Sequence, residues 1–140
     1  MTTHLAVLHR RYLDNIIAGD KTIEMRLTRT RRAPFGKITT GDTIYFKQSS
    51  GPIRAVATAG KVQTLIDLTP ERIAELRERY NKKITGTDDT WANKQHARYG
   101  TLIWLRDIRQ TSEGPVVPPL FGAAWVCDPQ QQPAAANSAP

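Results

Sequence analysis

The chain has 140 residues, with 20 Lys and Arg against 13 Asp and Glu and a formal charge of +7. That length suits one domain with its own core, and the lone Cys127 excludes a disulfide framework and any multi-cysteine zinc site. No apolar run approaches the roughly 20 residues of a membrane helix. No signal-peptide pattern opens the sequence, so a reducing cytoplasm is the expected location. The positive charge favours an anionic partner, nucleic acid foremost.

In chain order, His4 to Leu8 reads as a short strand. His9 to Ala18 then sets Tyr12, Leu13, Ile16 and Ile17 at helical spacing, and Gly19 stands where a helix end takes positive φ. From Lys21 to Leu27 the pattern becomes strand alternation, with Ile23, Met25 and Leu27 on one face and Thr22, Glu24 and Arg26 on the other. Glu24 and Arg26 are therefore same-face neighbours. Lys21, at the strand's mouth, is expected to bend its long stem outward beside them. A fixed carboxylate between two cations suits a polar or anionic ligand.

An arginine-rich loop follows, carrying Arg29, Arg31, Arg32 and Lys37 with Pro34, Phe35 and Gly36 among them. A Gly41-Asp42 turn leads into a strand over Thr43–Lys47, and a Ser49–Pro52 turn leads out of it. Ile53 to Ile66 reads as a long strand in which Gly60 marks a bulge or bend. Thr69-Pro70-Glu71 is a helix start, with Ile73, Leu76 and Tyr80 on one stripe. Asn81 to Thr87 reads as a loop, and Asp88 or Asp89 as the cap of a short helix running through Trp91 and Ala97. Thr101–Arg109 is the most apolar strand, and Ala123–Val126 a short last one. Residues 128–140, made of Gln, Pro, Ala, Asn and Ser, read as a disordered tail behind a domain of residues 1–127.

Many strands, few helices and glycine bends predict an α+β chain. Its architecture is expected to be a small mixed or antiparallel β-barrel with two to three short helices packed on it. In that setting the Gly-x-Lys-x-x-Glu-x-Arg pattern of Gly19, Lys21, Glu24 and Arg26 resembles the motif of the ASCH-domain family, a branch of the PUA-like barrels. The resemblance covers roughly residues 4–127, including the Gly41-Asp42 turn and the Tyr99–Asp107 strand. It implies a cleft lined by Lys21, Glu24 and Arg26 and a role in binding RNA or a nucleotide. It also implies an alternative hydrolase chemistry, either RNA cleavage or deacylation of a modified nucleoside such as acetylcytidine, with Lys21 as base and Glu24 as proton carrier. A coregulator-like or protein-interaction role is a third implication. Members of the acetylcytidine type resemble Gly-x-Lys-x-x-Thr, whereas this chain carries Glu24 at the threonine position, and a carboxylate does not do a hydroxyl's work.

The ligand-binding set expected from these readings is Lys21, Glu24, Arg26, Arg29, Arg31, Arg32 and Phe35. The arginines would grip phosphates, and Phe35 would either stack on a base or plug the barrel end. The expected partners are RNA, single-stranded nucleic acid, or a nucleotide or modified nucleoside, with no membrane. No cofactor is implied. The histidines His4, His9 and His96 have no partners at metal-ligand spacing, so no metal site is expected. Ser49 and Ser50 read as ordinary turn residues and Cys127 as unreactive. The tryptophans read as core, with Trp91 the first expected to reach the surface.

Overall fold

The first strand, β1 (Thr3–Leu8), is buried on both faces, with His4, Ala6 and Leu8 on one and Leu5 on the other. This computed structural model describes residues 1–129. The expected tail thus lies, beyond its first two residues, outside the described residues.

Helix α1 (Arg10–Ala18) buries Leu13 and Ile16 and stops at Gly19, whose φ of 88° frees its N–H for the carbonyls of Asn15 and Ile16. A side chain at this φ would be strained, so glycine ends the helix cheaply. Then come β2 (Ile23–Thr28), β3 (Thr43–Gln48), the long β4 (Ile53–Leu65), α2 (Pro70–Ile84), α3 (Asp88–Ala92), β5 (Tyr99–Gln110) and β6 (Trp125–Cys127). The strands form one mixed sheet in the order β2-β5-β4-β3-β1-β6. Among the described residues only β1 and β3 run parallel, paired from Thr3 with Thr43 to Leu8 with Gln48. At Gly60 the β4–β5 register slips between Ala59 and Val62. A Cβ there would stand 2.9 Å from the Trp104 carbonyl, so the bulge needs glycine.

The bent sheet curls into a half-barrel filled by Phe46, Ile44, Ala55, Ile103 and neighbours, with α1 packed against this cluster. A second apolar cluster lies outside the curl, where Ile73, Leu76, Ile84 and Trp91 of α2 and α3 cover Ile23, Leu27 and Leu102. The α+β half-barrel with helices packed on it is the architecture that the sequence predicts.

Two local expectations are corrected. Helix α2 does not give way to a loop at Asn81 but runs on to Ile84, because Ile84 extends the buried stripe and Lys82 and Lys83 suit the last turn. Trp91 does not reach the surface: it is 1% exposed, with its indole N–H donated to Asn81 Oδ1 at 2.9 Å. The same Asn81 oxygen accepts from the Gly86 N–H at 2.8 Å, so one amide pins the turn between α2 and α3.

Near the N-terminus of the sheet, His4, Asp42 and Trp125 form a buried array. The Trp125 indole donates to His4 Nδ1 at 3.1 Å, which leaves Nε2 to carry the proton and donate to Asp42 Oδ2 at 2.9 Å. Asp42 also accepts the Thr39 and Thr2 amides. Burial alone would raise the Asp42 pKa, but its hydrogen bonds from His4, Thr39 and Thr2 outweigh this and hold it below the usual range. The array therefore ties β1, the turn before β3, and β6 together.

Among the described residues, Thr101 Oγ1 is the one buried side-chain polar atom without a partner. Thr101→Val keeps the shape and removes that cost. The expected result is a melting temperature equal to or above wild type, a gain of up to about 1 kcal/mol. A drop on thermal denaturation would show that the hydroxyl has a partner.

Candidate functional site

The helix-to-strand joint brings Lys21, Glu24 and Arg26 together, but inside the protein rather than on its surface. Lys21 is 2% exposed and Glu24 3%. The outward bend expected of the Lys21 stem is corrected here. Its ammonium turns in and donates to the carbonyls of Ile23 (2.8 Å) and Ile84 (2.9 Å), with Glu24 Oε1 at 3.4 Å. The Ile84 carbonyl ends α2, so the lysine neutralises a helix C-terminus while it pairs with the carboxylate. The Tyr12 ring lies 5.5 Å over the same ammonium.

Glu24 divides its oxygens between the two cations. Oε2 accepts from Arg26 Nη2 at 2.9 Å, and Oε1 also accepts the Met25 N–H at 3.1 Å. Burial would push its pKa up, but the charges of Arg26 and then Lys21 win and hold it below the normal range. Arg26 spans a gap as well. Its Nη2 reaches the Val7 carbonyl on β1 at 3.1 Å, and Nη1 the Ala124 carbonyl beside β6 at 3.3 Å. Strands β2 and β6 are the two ends of the sheet order, so this guanidinium bridges the open side of the half-barrel. It also lies 5.2 Å over the Trp125 ring, which the His4 array fixes.

These contacts bear on Lys21 as a base. Burial, with Arg26 adding to it, pulls the Lys21 pKa down, while Glu24 opposes. Its three acceptors nevertheless match the three protons of an ammonium and leave no lone pair for chemistry. The geometry makes Lys21 a buried cation that holds Glu24 and α2 in place.

The trio forms the floor of a cleft of about 660 Å³, a size that accommodates a nucleotide-sized ligand. Its walls come from α1, the Ser49–Ser50 turn, the segment from Thr87 to Lys94, and the chain from Leu120 to Ala124. Four cations line it (Lys21, Arg26, Lys47 and Lys94), against two carboxylates, Glu24 and Asp89. Ser49 and Ser50, read as plain turn residues, stand on its rim. Across the cleft the Tyr12 hydroxyl bonds Thr90 Oγ1, joining α1 to α3.

Lys94 is the residue that the sequence reading missed. It is half-buried in the cleft, and its Nζ makes one long contact to the Leu27 carbonyl at 3.5 Å. Burial first, and Arg26 second, lower its pKa, with Tyr12 and Glu24 opposing. No local pattern marks it, since it enters from a turn nearly seventy residues beyond the motif. Phe121 was also missed. It is 96% exposed, has a φ of 48°, and stands between the cleft residues Leu120 and Gly122.

The arginine loop divides. Arg29 and Arg32 line a separate groove with Thr28, Thr30, His96 and Arg98. Arg31 lies 5.3 Å over the Tyr99 ring, and Phe35 packs edge-on against that ring at 5.3 Å. Neither Arg31 nor Phe35 lines the cleft or the groove. Phe35 is half-buried beside buried Pro34. Burial first, and Asp128 second, raise the Cys127 thiol, which leaves it a poor nucleophile. Among the described residues no group of three metal-ligating side chains gathers, and no helix is long and apolar enough to cross a membrane.

The chain has the ASCH fold, a mixed half-barrel with helices packed on it. Its structure is similar to the crystal structure of ASCH from Zymomonas mobilis, with a TM-score of 0.65 and 15% identity over 89% of this chain and 85% of that one. Two single-substitution mutants of that protein also match, with TM-scores of 0.61 and 0.60 at 17% and 18% identity. They cover 77% and 79% of this chain and 70% and 75% of theirs. No protein-family model and no curated protein matches the sequence.

Proposed function

We propose that this protein binds RNA, or a nucleotide of RNA, in the cleft above Lys21, Glu24 and Arg26. The observation that carries the reading is the cleft's charge. Its four cations outnumber its two carboxylates: Lys21 and Arg26 share Glu24 in the floor, and Lys47 and Lys94 stand with Asp89 in the walls. Under this reading Lys94 meets phosphate or base acceptors, and Glu24 acts through Arg26, whose plane it fixes. Exposed Phe121 gives an unpaired base a face on which to stack.

The test is fluorescence anisotropy with a labelled single-stranded RNA of about ten nucleotides, within the usual range of site sizes. Lys94→Ala is expected to weaken binding about five- to tenfold near 0.1 M salt and to lower the salt slope by about 0.7 to 1. Its melting temperature should stay close to wild type, since Lys94 has only one long hydrogen bond to lose. Binding unaffected by salt, or by the loss of Lys94, would overturn the reading.

A hydrolytic reading, on RNA or an acylated nucleoside, is better served by Lys94, which lines the cleft with one long hydrogen bond, than by Lys21, whose ammonium is held by two carbonyls and Glu24. Incubating acetylcytidine and the same RNA with wild type and Lys94→Ala separates the readings. Turnover that disappears in the variant makes the protein an enzyme, and intact substrates return it to binding.

A further inference from the structure

The groove that holds Arg29 and Arg32 is larger than a turn needs, and it has no acid in it. It measures about 680 Å³ and is lined by Thr28, Arg29, Thr30, Arg32, His96 and Arg98. Arg29 and Arg32 are exposed and enter no ion pair among the described residues. Arg98 is anchored through Nη1 to the carbonyls of Leu68 (3.3 Å) and Ala97 (3.1 Å), so its guanidinium is held in place before any ligand arrives. Thr28 Oγ1 donates to the Thr30 carbonyl at 2.7 Å and fixes the turn that presents Arg29. Unpaired guanidinium groups around a concave surface recognise phosphate, often with two hydrogen bonds each.

The groove's relation to the cleft is set by the backbone. Both are walled by the same two segments. Glu24 and Arg26 of β2 line the cleft, while Thr28 at the strand's end and the following Arg29 and Thr30 line the groove. Lys94 on the opposite segment lines the cleft, and His96 and Arg98 line the groove. The segments are joined between the two sites by the Arg98 N–H on the Thr28 carbonyl at 2.9 Å and by Lys94 Nζ on the Leu27 carbonyl. At about 3.3 Å per strand residue, Thr28, the last residue of β2, lies roughly 7 Å beyond Arg26, and Arg29 follows it. A polynucleotide with one unit in the cleft has phosphates within reach of the groove.

We infer that the groove of Arg29, Arg32, His96 and Arg98 is a second phosphate subsite for the strand held in the cleft. The ligand of this protein is then an oligonucleotide of several units, not a free nucleoside or mononucleotide. This rests on the RNA reading of the cleft and narrows its substrate class.

The experiment uses the full chain and 5′-labelled oligouridylates of 2, 4, 8 and 12 nucleotides, titrated at several salt concentrations. Wild type, Arg29→Ala/Arg32→Ala and Lys94→Ala are compared, with thermal melts to confirm folding. Wild-type affinity is expected to rise with length and then level off. The double arginine variant is expected to bind the 12-mer about tenfold more weakly, with its salt slope reduced by about 1.4, or about 0.7 for each lost phosphate contact. It should bind the dinucleotide as wild type does, whereas Lys94→Ala weakens both. If the double variant binds every length as wild type does, or weakens short and long equally, the groove proposal falls while the cleft reading stands. If wild type binds no oligouridylate at any length, both fall.

Discussion

Replacing Lys21 with methionine is expected to cost about 3–5 kcal/mol of folding stability, because it removes one partner from a buried ion pair and leaves the other charge in place. The side chain is 2% exposed, and methionine fills much the same space. What methionine cannot do is donate to the Ile23 and Ile84 carbonyls or balance Glu24. Arg26 alone must then hold the carboxylate, and the end of α2 loses the charge that faces it. A fall in melting temperature of about 10 °C or more is the scale to expect for a chain of this size.

The companion variant Glu24→Gln should also be costly, since it leaves Lys21 and Arg26 as neighbouring buried cations. The double variant Lys21→Met/Glu24→Gln is expected to lose clearly less than the sum of the two, by about 1–3 kcal/mol in a double-mutant cycle. Urea denaturation of the four proteins measures this. Additive losses would mean that the pair is not coupled and that the role given to Lys21 is wrong.

The second large effect is expected in acid and at Asp42. Glu24 and Asp42 both hold their protons less tightly folded than unfolded. Each therefore adds stability that is complete above its unfolded pKa, about 4.3 for Glu and 3.9 for Asp, and is lost as pH falls through the lower folded value. Stability should be flat from pH 7 to about 5 and then drop steeply below about pH 4. Asp42→Ala removes the acceptor of three hydrogen bonds, two from backbone amides and one from His4. A loss of about 2–4 kcal/mol at pH 7 is expected, since hydrogen bonds to a charged acceptor are worth more than neutral ones. Its acid limb should also be shallower than wild type's, because one of the two carboxylates no longer titrates. Denaturant midpoints from pH 3 to pH 7 check both parts, and an unchanged acid limb would count against Asp42 as a contributor.

Much of the fold is readable from local chemistry. Gly19 ends α1, Thr69-Pro70 starts α2 and Gly60 breaks the β4 register for reasons that a sequence states directly. Alternation also pairs Glu24 with Arg26 correctly. It cannot tell that their face of β2 looks into the curl of the sheet, because curvature arises from bulges and pairings far away. For that reason Lys21 reads as a solvated stem although it is buried, and Trp91 reads as surface although α2 covers it. Lys94 and Phe121 are invisible for the same reason. Their place beside the motif depends on the 87–94 and 120–124 segments being folded back over β2. Within the arginine loop the sequence gathers four basic residues as one patch, whereas the backbone sends Arg29 and Arg32 to a groove and Arg31 to the Tyr99 ring.

The reach of Arg26 across the sheet's open side has a practical consequence for anyone who shortens or tags this protein. The residue it grips on the far side, Ala124, comes just before the three-residue strand β6, and Trp125 beneath it is locked to His4. Removing the chain from Leu120 onward would take away one lip of the cleft, one of the two carbonyls that Arg26 holds and the indole that orders the N-terminal strand. A deletion that looks peripheral on a sequence map would open the cleft and loosen the first strand together. Tags or fusions at this end should therefore be joined after β6, and any smaller fragment must keep that strand.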